Sequence, residues 1–404
     1  MTIEQAGRTE GPRGSNLATV LGLVHARGPL SRSDLTRLTG LNRSTIATLV
    51  GDLVDRRLAL EADPVGVSRV GRPSPVVEAR SDVVAWSVNP EIDAVTVGAV
   101  GLGGTVRARV RRETATVPTA AQAAALAAEA IDELRVELQA SGGVVAEVGV
   151  GAAVPGLVRA DGGLVRLAPH LGWVDEPFAA LLSDATGLPT EAANDASLAA
   201  MAEGRFGAGR GVDDLVFLNG GASGVGGGVI AAGRPLSGVG GYAGEIGHTL
   251  VNSVGRLCHC GATGCLETEV GQASLLAATG VSRAQADELG AALQEAQPGS
   301  EARAEVERQV DQLAVALRTV VNAFDPSLIV LGGFLGSLLA AAPDRLLAGV
   351  TRQALPGPAD DVSIVRAQLG ADRLVIGAAE LAFAPLLSDP ASAALTSAAR
   401  RAVT

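Results

Sequence analysis

The sequence predicts an α/β protein with two parts, a small winged helix-turn-helix at the N-terminus and a larger module of two α/β lobes. Short helical patterns with capping or stop residues occupy residues 15–80, whereas buried strands alternate with helices from residue 81 onward. Such alternation favours mostly parallel sheets that bind ligands at the carboxyl ends of their strands. Two buried strands, at residues 215–219 and 328–331, run directly into glycines.

Composition limits the class of protein. The 404 residues suffice for two or three domains, and 47% hydrophobic content with only 2% aromatic residues indicates packing by Ala, Val and Leu. The formal net charge is −11, of which residues 1–80 carry +3 and the remainder −14, so a nucleic-acid surface at the N-terminus is permitted but not established. Because the sequence has no signal peptide and no apolar run of membrane-spanning length, we expect a cytoplasmic protein without a membrane partner.

The N-terminal region begins with a polar segment, residues 1–14, which we predict to be disordered. Residues 16–27 then show the apolar spacing of a helix that Gly28 ends. Ser31 and Asp34 form a capping box for a second short helix, and Asn42 caps a third over residues 43–57. The third helix is expected to bury one stripe of side chains, namely Ile46, Leu49, Val50, Leu53 and Val54.

The third predicted helix has the features of a DNA-recognition helix. Near its N-terminus it offers an arginine and short polar groups to base edges and phosphates, namely Arg43, Ser44, Thr45 and Thr48. Residues 58–60 and 76–79 predict a β-hairpin wing, whose tip would place Arg72 in a minor groove. Helix-turn-helix patterns give false positives, so a small helical bundle used for dimerisation is the alternative for residues 15–80.

The remaining chain is predicted to form the two lobes. Residues 83–88, 94–100 and 106–110 predict a β-meander, which a helix at 120–140 and a buried strand at 145–154 follow. We place one lobe at residues 81–195, completed by a helix at about 372–387, and the other at residues 196–371. Residues 388–404 are expected to form a surface helix or a disordered tail.

All three cysteines of the chain fall within residues 245–267, together with two histidines. The side chains that suit a closed tetrahedral site for structural Zn²⁺ are His248, Cys258, Cys260 and Cys265. His259, which lies between two of the cysteines, competes for the role of fourth ligand. A disulfide would leave one cysteine unpaired, and simple burial of the thiols in a tight loop is the remaining alternative.

The same segment carries a family resemblance. E-I-G-H at residues 245–248, followed by C-x-C-G-x-x-G-C-x-E at 258–267, resembles the signature of the ROK family, which contains sugar-responsive repressors and sugar kinases. The resemblance implies an actin-like ATPase (ROK/sugar kinase) fold over residues 85–385, with zinc on His248 and the three cysteines. It also implies sugar contacts from Glu245, His248 and Glu267, with one ring nitrogen of His248 on the metal and the other on the sugar.

A second motif of the resemblance is Asn194-Asp195. Family members have N-D-x-N at this position, and their Asp is the general base on a sugar hydroxyl. The resemblance therefore implies sugar binding by Asn194 and Asp195, and catalysis by Asp195 if the chain is a kinase. Ser197 replaces the second Asn of the motif. Considered without the family, Asp195 is better explained as the N-cap of the following helix.

Two further loops, residues 151–156 and 168–173, resemble loops of the family's sugar pocket. His170 stands where family members usually have Asn, which leaves the identity of the sugar open. Trp173 either stacks on a pyranose ring or is a buried core residue.

Phosphate-binding loops distinguish a regulator from a kinase. ROK kinases begin with D-x-G-G-T, whereas residues 88–93 are V-N-P-E-I-D, so Asn89 replaces the Asp and no glycine remains. Pro90 lacks a backbone donor, and Glu91 and Asp93 would repel a polyphosphate. Loops at residues 220–228 and 331–336 keep their glycines, and vestigial nucleotide contacts are expected at Ser223, Gly224, Gly226, Gly332 and Gly333. ATP is therefore not expected as a cofactor.

These features together predict a sugar-responsive transcriptional repressor. It would bind a monosaccharide or sugar phosphate between its lobes, and a two-fold double-stranded DNA operator as a homodimer or homotetramer. Two alternatives remain open: an ATP-dependent sugar kinase with an added N-terminal domain, and a DNA-binding protein whose sugar module has no ligand.

Overall fold

The computed structural model describes residues 12–62, 74–141, 143–144, 146–392 and 396–397. Residues 1–11 of the segment predicted to be disordered lie outside this part of the chain, as does the wing tip with Arg72. The first helix begins at Pro12, so residues 12–14 are helical, contrary to the prediction. Proline suits the first turn of a helix, because the N–H that it lacks would have no intrahelical partner there.

The N-terminal region folds as three helices and a three-stranded antiparallel sheet of order β1-β3-β2. Its elements are α1 Pro12–Arg27, β1 Leu30–Ser31, α2 Arg32–Thr39, α3 Arg43–Asp55, β2 Ala59–Ala62 and β3 Val76–Ala79. Both predicted caps are confirmed: Ser31 Oγ accepts the N–H of Asp34 at 3.1 Å, and Asn42 Oδ1 accepts the N–H of Thr45 at 2.9 Å. Gly40 ends α2 with a φ of 71°, which permits the turn into α3.

The buried stripe of α3 differs from the prediction at one residue. Ile46, Leu49, Val50 and Leu53 are at most 2% exposed, but Val54 is 36% exposed. Val54 follows Ile46 by eight positions and therefore lies at the edge of the apolar stripe.

A six-stranded sheet forms the first lobe. The elements are β4 Val83–Pro90, β5 Ala94–Gly101, β6 Thr105–Glu113, α4 Ala120–Ala140, β7 Ala146–Val154, β8 Leu157–Val158, β9 Val165–Ala168, β10 Trp173–Glu176, α5 Phe178–Thr186 and β11 Thr190–Asn194. The main strand order is β11-β7-β4-β5-β6, in which β4, β5 and β6 form the predicted antiparallel meander, while β7 runs parallel to β4 and β11. Strands β8, β9 and β10 form a small separate sheet beside it.

A five-stranded sheet of order β14-β13-β12-β15-β16 forms the second lobe. The elements after β11 are α6 Asp195–Phe206, β12 Leu215–Gly221, β13 Gly224–Ala231, β14 Arg234–Pro235, α7 Leu266–Glu269, α8 Gln272–Thr279, α9 Leu289–Gln294, α10 Glu301–Phe324, β15 Leu328–Gly332, α11 Gly333–Ala341, α12 Pro343–Thr351, α13 Pro358–Asp361, β16 Ser363–Arg366, α14 Arg373–Ser388 and β17 Thr396–Ser397. Strands β12, β15 and β16 are parallel, and β12 and β13 form a hairpin.

The end of the chain returns to the first lobe. Helix α14 packs on β4, β7 and α6. In β17, Thr396 and Ser397 pair antiparallel with the start of β7, where a surface helix or disorder was predicted. Strand β11 pairs with β7 only from Val150 onward, so the first residues of β7 have no strand neighbour on that side. Strand β17 pairs with this free edge.

The winged helix-turn-helix shares its hydrophobic core with the first lobe. One cluster contains Leu21 of α1, Leu53 of α3, Val83 of β4 and Phe383 of α14. A buried polar contact crosses the same interface, because His25 Nε2 of α1 lies 2.9 Å from a carboxylate oxygen of Glu380 on α14. His25 Nδ1 accepts the N–H of Gly103 at 2.9 Å, so Nε2 carries the proton given to Glu380.

Among the described residues, no single helix is long and apolar enough to cross a membrane. One bent pair, α11 with α12 at 96°, meets the test of length and composition. Leu335, Leu338, Leu346 and Val350 of this pair are buried in the core of the second lobe.

Candidate functional site

A cleft of about 590 Å³ receives side chains from both lobes. It lies at the carboxyl ends of β7, β11 and β12, which is the location predicted for a ligand. The residues with predicted sugar contacts all line it, namely Asn194, Asp195, Glu245, His248 and Glu267. His170 and His259 also line this cleft.

Asn194 and Asp195 stand where β11 passes into α6. Asn194 is the N-cap of α6: its Oδ1 accepts the N–H of Ser197 at 3.0 Å, and its amide nitrogen donates to the carbonyl of Gly156 at 3.0 Å. The alternative that Asp195 is the cap is therefore wrong, because Asp195 is already helical and only Asn194 has the extended backbone of a cap. Asp195 Oδ1 accepts the N–H of Ala196 at 2.8 Å.

The Asp195 carboxyl has an altered acidity. Burial raises its pKa to about 6, the negative charge of Glu245 adds to the increase, and the Ala196 N–H and Arg373 oppose it. A carboxylate with a pKa near neutrality is suited to accept a proton from a bound hydroxyl.

Replacing Asp195 with Asn is expected to stabilise the unliganded protein at pH 7.5 by about 1–3 kcal/mol. The folded-state pKa of about 6 exceeds the ordinary value, so ionisation opposes folding, and this destabilisation develops as the pH rises from about 4 to 6. Urea unfolding at pH 7.5 should show the stabilisation, and at pH 4 the two proteins should be nearly equal. A variant less stable than the parent at pH 7.5 would contradict this assignment.

His248 lies between Glu245 and Cys258 at the side of the cleft where Cys260 also lines it. Its Nε2 lies 3.8 Å from Glu245 Oε2, whereas its Nδ1 lies 3.5 Å from Glu267 Oε1 and 3.7 Å from Cys258 Sγ. The two ring nitrogens thus face different groups. This arrangement would allow Nδ1 to bind a metal while Nε2 contacts a sugar.

The predicted metal ligands lie together. The donor atoms of His248, Cys258, Cys260 and Cys265 are all within 4.8 Å of one another, and the sulfurs of Cys260 and Cys265 are 3.7 Å apart. Zinc–sulfur bonds of about 2.3 Å in tetrahedral geometry bring sulfurs to about this separation. Burial raises the pKa of the Cys258 thiol to about 12 in the metal-free protein, so its thiolate needs a bound cation.

His259 forms a second group with His248 and Glu267, whose donor atoms also lie within 4.8 Å of one another. Its Nδ1 is 3.1 Å from Glu267 Oε1 and 3.9 Å from Cys258 Sγ. Because zinc prefers thiolates and imidazoles, the set with three cysteines fits it better than the set with one carboxylate and two imidazoles.

The predicted nucleotide contacts divide into two groups. Ser223, Gly224 and Gly226 line the cleft, but Gly332 and Gly333 do not. Gly333 has a φ of 58°, and a Cβ there would lie 1.9 Å from the carbonyl oxygen of Gly220, so close backbone packing explains this glycine without a nucleotide.

The acidic side chains in residues 88–93, the counterpart of the first phosphate loop of ROK kinases, are paired with an arginine that the prediction did not include. Asp93 and Glu91 both pair with Arg111, at 2.7 Å and 3.4 Å, and Glu91 accepts a hydrogen bond from Thr96 at 2.6 Å. Their expected repulsion of a polyphosphate is therefore partly neutralised, because the strand neighbour β6 supplies an arginine.

Trp173 is a core residue and not a stacking surface. It is 2% exposed, donates its indole N–H to the carbonyl of Pro118 at 3.0 Å, and packs on Phe178 with ring centroids 4.8 Å apart. His170 does reach the cleft, where its ring centroid lies 6.3 Å from that of His259. This pairing of histidines was missed, since 89 residues separate them and no spacing signal relates them.

Helix α3, the predicted recognition helix, presents most of its predicted DNA contacts to solvent. Arg43, Ser44 and Thr48 are exposed and Thr45 is half-buried. Ser44 Oγ donates to Asn42 Oδ1 at 2.7 Å, whereas Arg43 makes no ion pair with any described residue.

A winged helix-turn-helix joined to two lobes with a polar cleft and a His/Cys loop identifies the class of protein as one built on the actin-like ATPase fold with an added N-terminal region. The chain belongs to the ROK family, whose model matches residues 92–384.

Individual relatives agree with this assignment. A xylose repressor from Caldicellulosiruptor bescii is 25% identical over 383 residues, which cover 89% of this chain and 93% of the repressor. An N-acetylmannosamine kinase from Escherichia coli O157:H7 is 34% identical over 295 residues, which cover 72% of this chain and 96% of the kinase. The crystal structure of a ROK family transcriptional regulator, a homologue of the E. coli MLC protein, matches with a TM-score of 0.76 at 25% identity. The match covers 93% of this chain and 97% of the regulator. The predicted family and fold are confirmed.

Proposed function

We propose that this ROK protein is a sugar-responsive transcriptional repressor that binds a monosaccharide or its phosphate in the cleft and double-stranded DNA through α3. One observation carries the proposal: the same chain holds an exposed Arg43, without an ion pair to any described residue, on the first turn of a capped helix, and a cleft lined by the residues whose family counterparts contact sugar. A homodimer or homotetramer would place two such helices on a two-fold operator.

Helix α6 offers a physical connection between cleft and DNA-binding region. It begins at Asp195 in the cleft and ends at Phe206, whose ring lies 5.3 Å from that of His25 in α1. Arg205, also at this end, binds Glu380, the partner of His25. A ligand that prefers one position of α6 would thus shift the position of α1, and sugar and DNA affinities would be reciprocally coupled.

An ATP-dependent sugar kinase is the second candidate, favoured by the pKa of about 6 at Asp195 and by the similarity to kinases. Against it stand Asn89 and Pro90 in place of a glycine loop. An ATP-coupled phosphorylation assay on a hexose panel separates the two, since a repressor should give no turnover above background.

Fluorescence anisotropy on DNA from the region upstream of the gene, with and without a monosaccharide panel, tests the proposal. We expect specific binding that weakens with salt and shifts with one sugar. Absence of specific binding at moderate salt would reject the DNA-binding function.

Replacing Arg43 with Ala is expected to weaken DNA binding by about tenfold, because one base or phosphate contact contributes about 1–3 kcal/mol. The plot of log affinity against log salt should become shallower by about one if the contact is to phosphate. Arg352→Ala, at the end of α12, is the matched control and should bind DNA like the parent. Equal affinity of the Arg43 variant would remove α3 from the interface.

A further inference from the structure

A second cavity lies where the end of α1 meets the second lobe. This α1–α6 cavity has a volume of about 760 Å³, larger than that of the cleft, and the two share none of their described lining residues. Its lining comes from the end of α1, the last two turns of α6, and the second lobe at the α6–β12 loop and the β13–β14 turn. The volume suits a small organic molecule, because ligand pockets usually measure about 300–1,000 Å³.

Three arginines line the α1–α6 cavity, one from each of three consecutive places in its wall. Arg27 is the last residue of α1, Arg205 lies in the last turn of α6, and Arg210 belongs to the loop that follows. Arg27 and Arg210 are exposed, and neither side chain makes an ion pair with a described residue. Arg205 binds Glu380 through Nη1 alone among the described residues, so its remaining N–H donors are available.

Acidic groups around the α1–α6 cavity do not neutralise these arginines. Asp213 supplies the only carboxylate among the described lining residues, and it faces the β13–β14 turn, where a Cβ on Gly233 would lie 3.4 Å from its Oδ1. The other nearby carboxylates are engaged elsewhere: Asp214 accepts the N–H of Ala232 at 2.8 Å, Glu203 accepts the N–H of Ala208 at 2.9 Å, and Glu380 binds Arg205 and His25.

Helix dipoles explain part of this arrangement but not all of it. Arg27 and Arg205 lie in the last turns of their helices, where exposed carbonyls attract a cation weakly. Arg210 lies in a turn outside any helix, so no dipole accounts for its place in the same wall. The remaining lining is largely apolar and contains no aromatic side chain among the described residues, namely Ala26, Met201, Val212, Ile230 and Pro235.

We propose that the α1–α6 cavity is a second small-molecule site, separate from the cleft, which binds an organic anion through a phosphate monoester group. A phosphate monoester carries about two negative charges and three terminal oxygens, so guanidinium groups from different segments can bind it together. The apolar part of the lining would cover the organic part of the ligand. Without an aromatic surface for stacking, the site favours a sugar phosphate or another non-aromatic ester over a nucleotide.

Helix α6 joins the two sites. Asp195 and Ala196 at its start line the cleft, whereas Met201, Gly204 and Arg205 near its end line the α1–α6 cavity. A ligand that binds Arg27 and Arg205 together holds α1 against α6 and thereby favours one position of the N-terminal region. Control of DNA affinity by this ligand rests on the proposed function, whereas the site itself does not.

Isothermal titration calorimetry on the full-length protein at pH 7.5, in a buffer without phosphate, tests the site. The probes are inorganic phosphate, glycerol 3-phosphate, glucose 6-phosphate and AMP, which share the phosphate group and differ in the organic part. We expect one of the non-aromatic esters to bind with a dissociation constant below about 1 mM and more tightly than AMP. Absence of saturable binding of every probe up to about 10 mM, or AMP as the tightest ligand, would overturn the proposal.

The variants Arg27→Gln and Arg210→Gln locate the bound ester. Each removes one charge from the α1–α6 cavity and should weaken the ester by at least about tenfold. Arg283→Gln, an exposed arginine outside the cavity, is the charge-matched control and should bind like the parent. Circular dichroism and thermal unfolding verify the fold of each variant. An ester bound equally well by both folded cavity variants lies elsewhere, for example in the cleft, and would overturn the proposal.

DNA anisotropy at matched ionic strength tests the effect on DNA binding. A saturating ester should change the affinity for specific DNA by at least about threefold, and both cavity variants should lose this change. Equal affinities with and without the ester would overturn the regulatory consequence. If both variants weaken DNA binding in the absence of any ester, the arginines contact DNA, and the proposal is overturned while the proposed DNA binding remains.

Discussion

A Cys258→Ser protein is expected to lose its zinc and, with it, at least about 100-fold in sugar affinity, or about 3 kcal/mol. Cys258 is 3% exposed and its sulfur lies 3.1 Å from Glu267 Oε1, so the predicted metal site directly adjoins the carboxylate that lines the cleft. Few apolar side chains hold the surrounding segment, since Leu250, Val254 and Leu257 are 61%, 90% and 75% exposed. The variant should therefore also unfold at a lower temperature than the parent. Metal analysis, calorimetric titration and thermal unfolding measure these three consequences.

Two histidine variants serve as matched controls for the zinc site. His248→Asn should lose zinc, whereas His259→Asn should retain it, because the three cysteines lie with His248 in the set that suits zinc. The reverse result would make His259 the fourth ligand. A zinc-free Cys258 variant with unchanged sugar affinity would refute the link between metal and cleft.

Replacing Glu380 with Ala is expected to lower the free energy of unfolding by about 1–3 kcal/mol, because it leaves the Nε2–H of the buried His25 and the part-buried Arg205 without their partner. Burial raises the pKa of Glu380, but His25 and Arg205 outweigh it and the net shift is downward. The contribution to stability is therefore present above the ordinary pKa of about 4.3 and is lost as the pH falls through the lower folded-state pKa. Denaturant unfolding at pH 7 and pH 3 measures both effects.

The coupling between sugar binding and DNA binding distinguishes a structural role of Glu380 from a regulatory one. Glu380→Gln keeps the shape and the acceptor oxygen, so it should cost less stability than Glu380→Ala. We expect both variants to reduce the factor by which sugar changes DNA affinity. If that factor is unchanged in the stable Gln variant, the contact between α1, α6 and α14 is structural only.

Local signals made much of the fold predictable from sequence. The caps at Ser31 and Asn42 depend on residues three positions apart, and the meander follows strand periodicity, so both were found. The His/Cys loop was predictable because its donors lie within one short segment.

Contacts between distant residues were not predictable. The pairs His25–Glu380 and Trp173–Pro118 are separated by 355 and 55 residues, and neither leaves a periodic pattern. Asp93 was taken as a free repulsive charge, because its partner Arg111 lies on an adjacent strand whose register no local signal fixes. Single-residue errors, such as Val54 at the edge of its stripe, arise where packing and not spacing decides burial.

The sharing of a core between α1 and α14 has a consequence for biosynthesis. The contact of His25 with Glu380 spans 355 residues, so a ribosome working at about 5–20 residues per second needs about 20–70 seconds to synthesise the second partner after the first. During that interval the part of α1 that will contact α14, where the ring of His25 meets that of Phe383, has no cover. A nascent chain interrupted before α14 would carry an incompletely packed winged helix-turn-helix, which chaperones and proteases can distinguish from the finished protein.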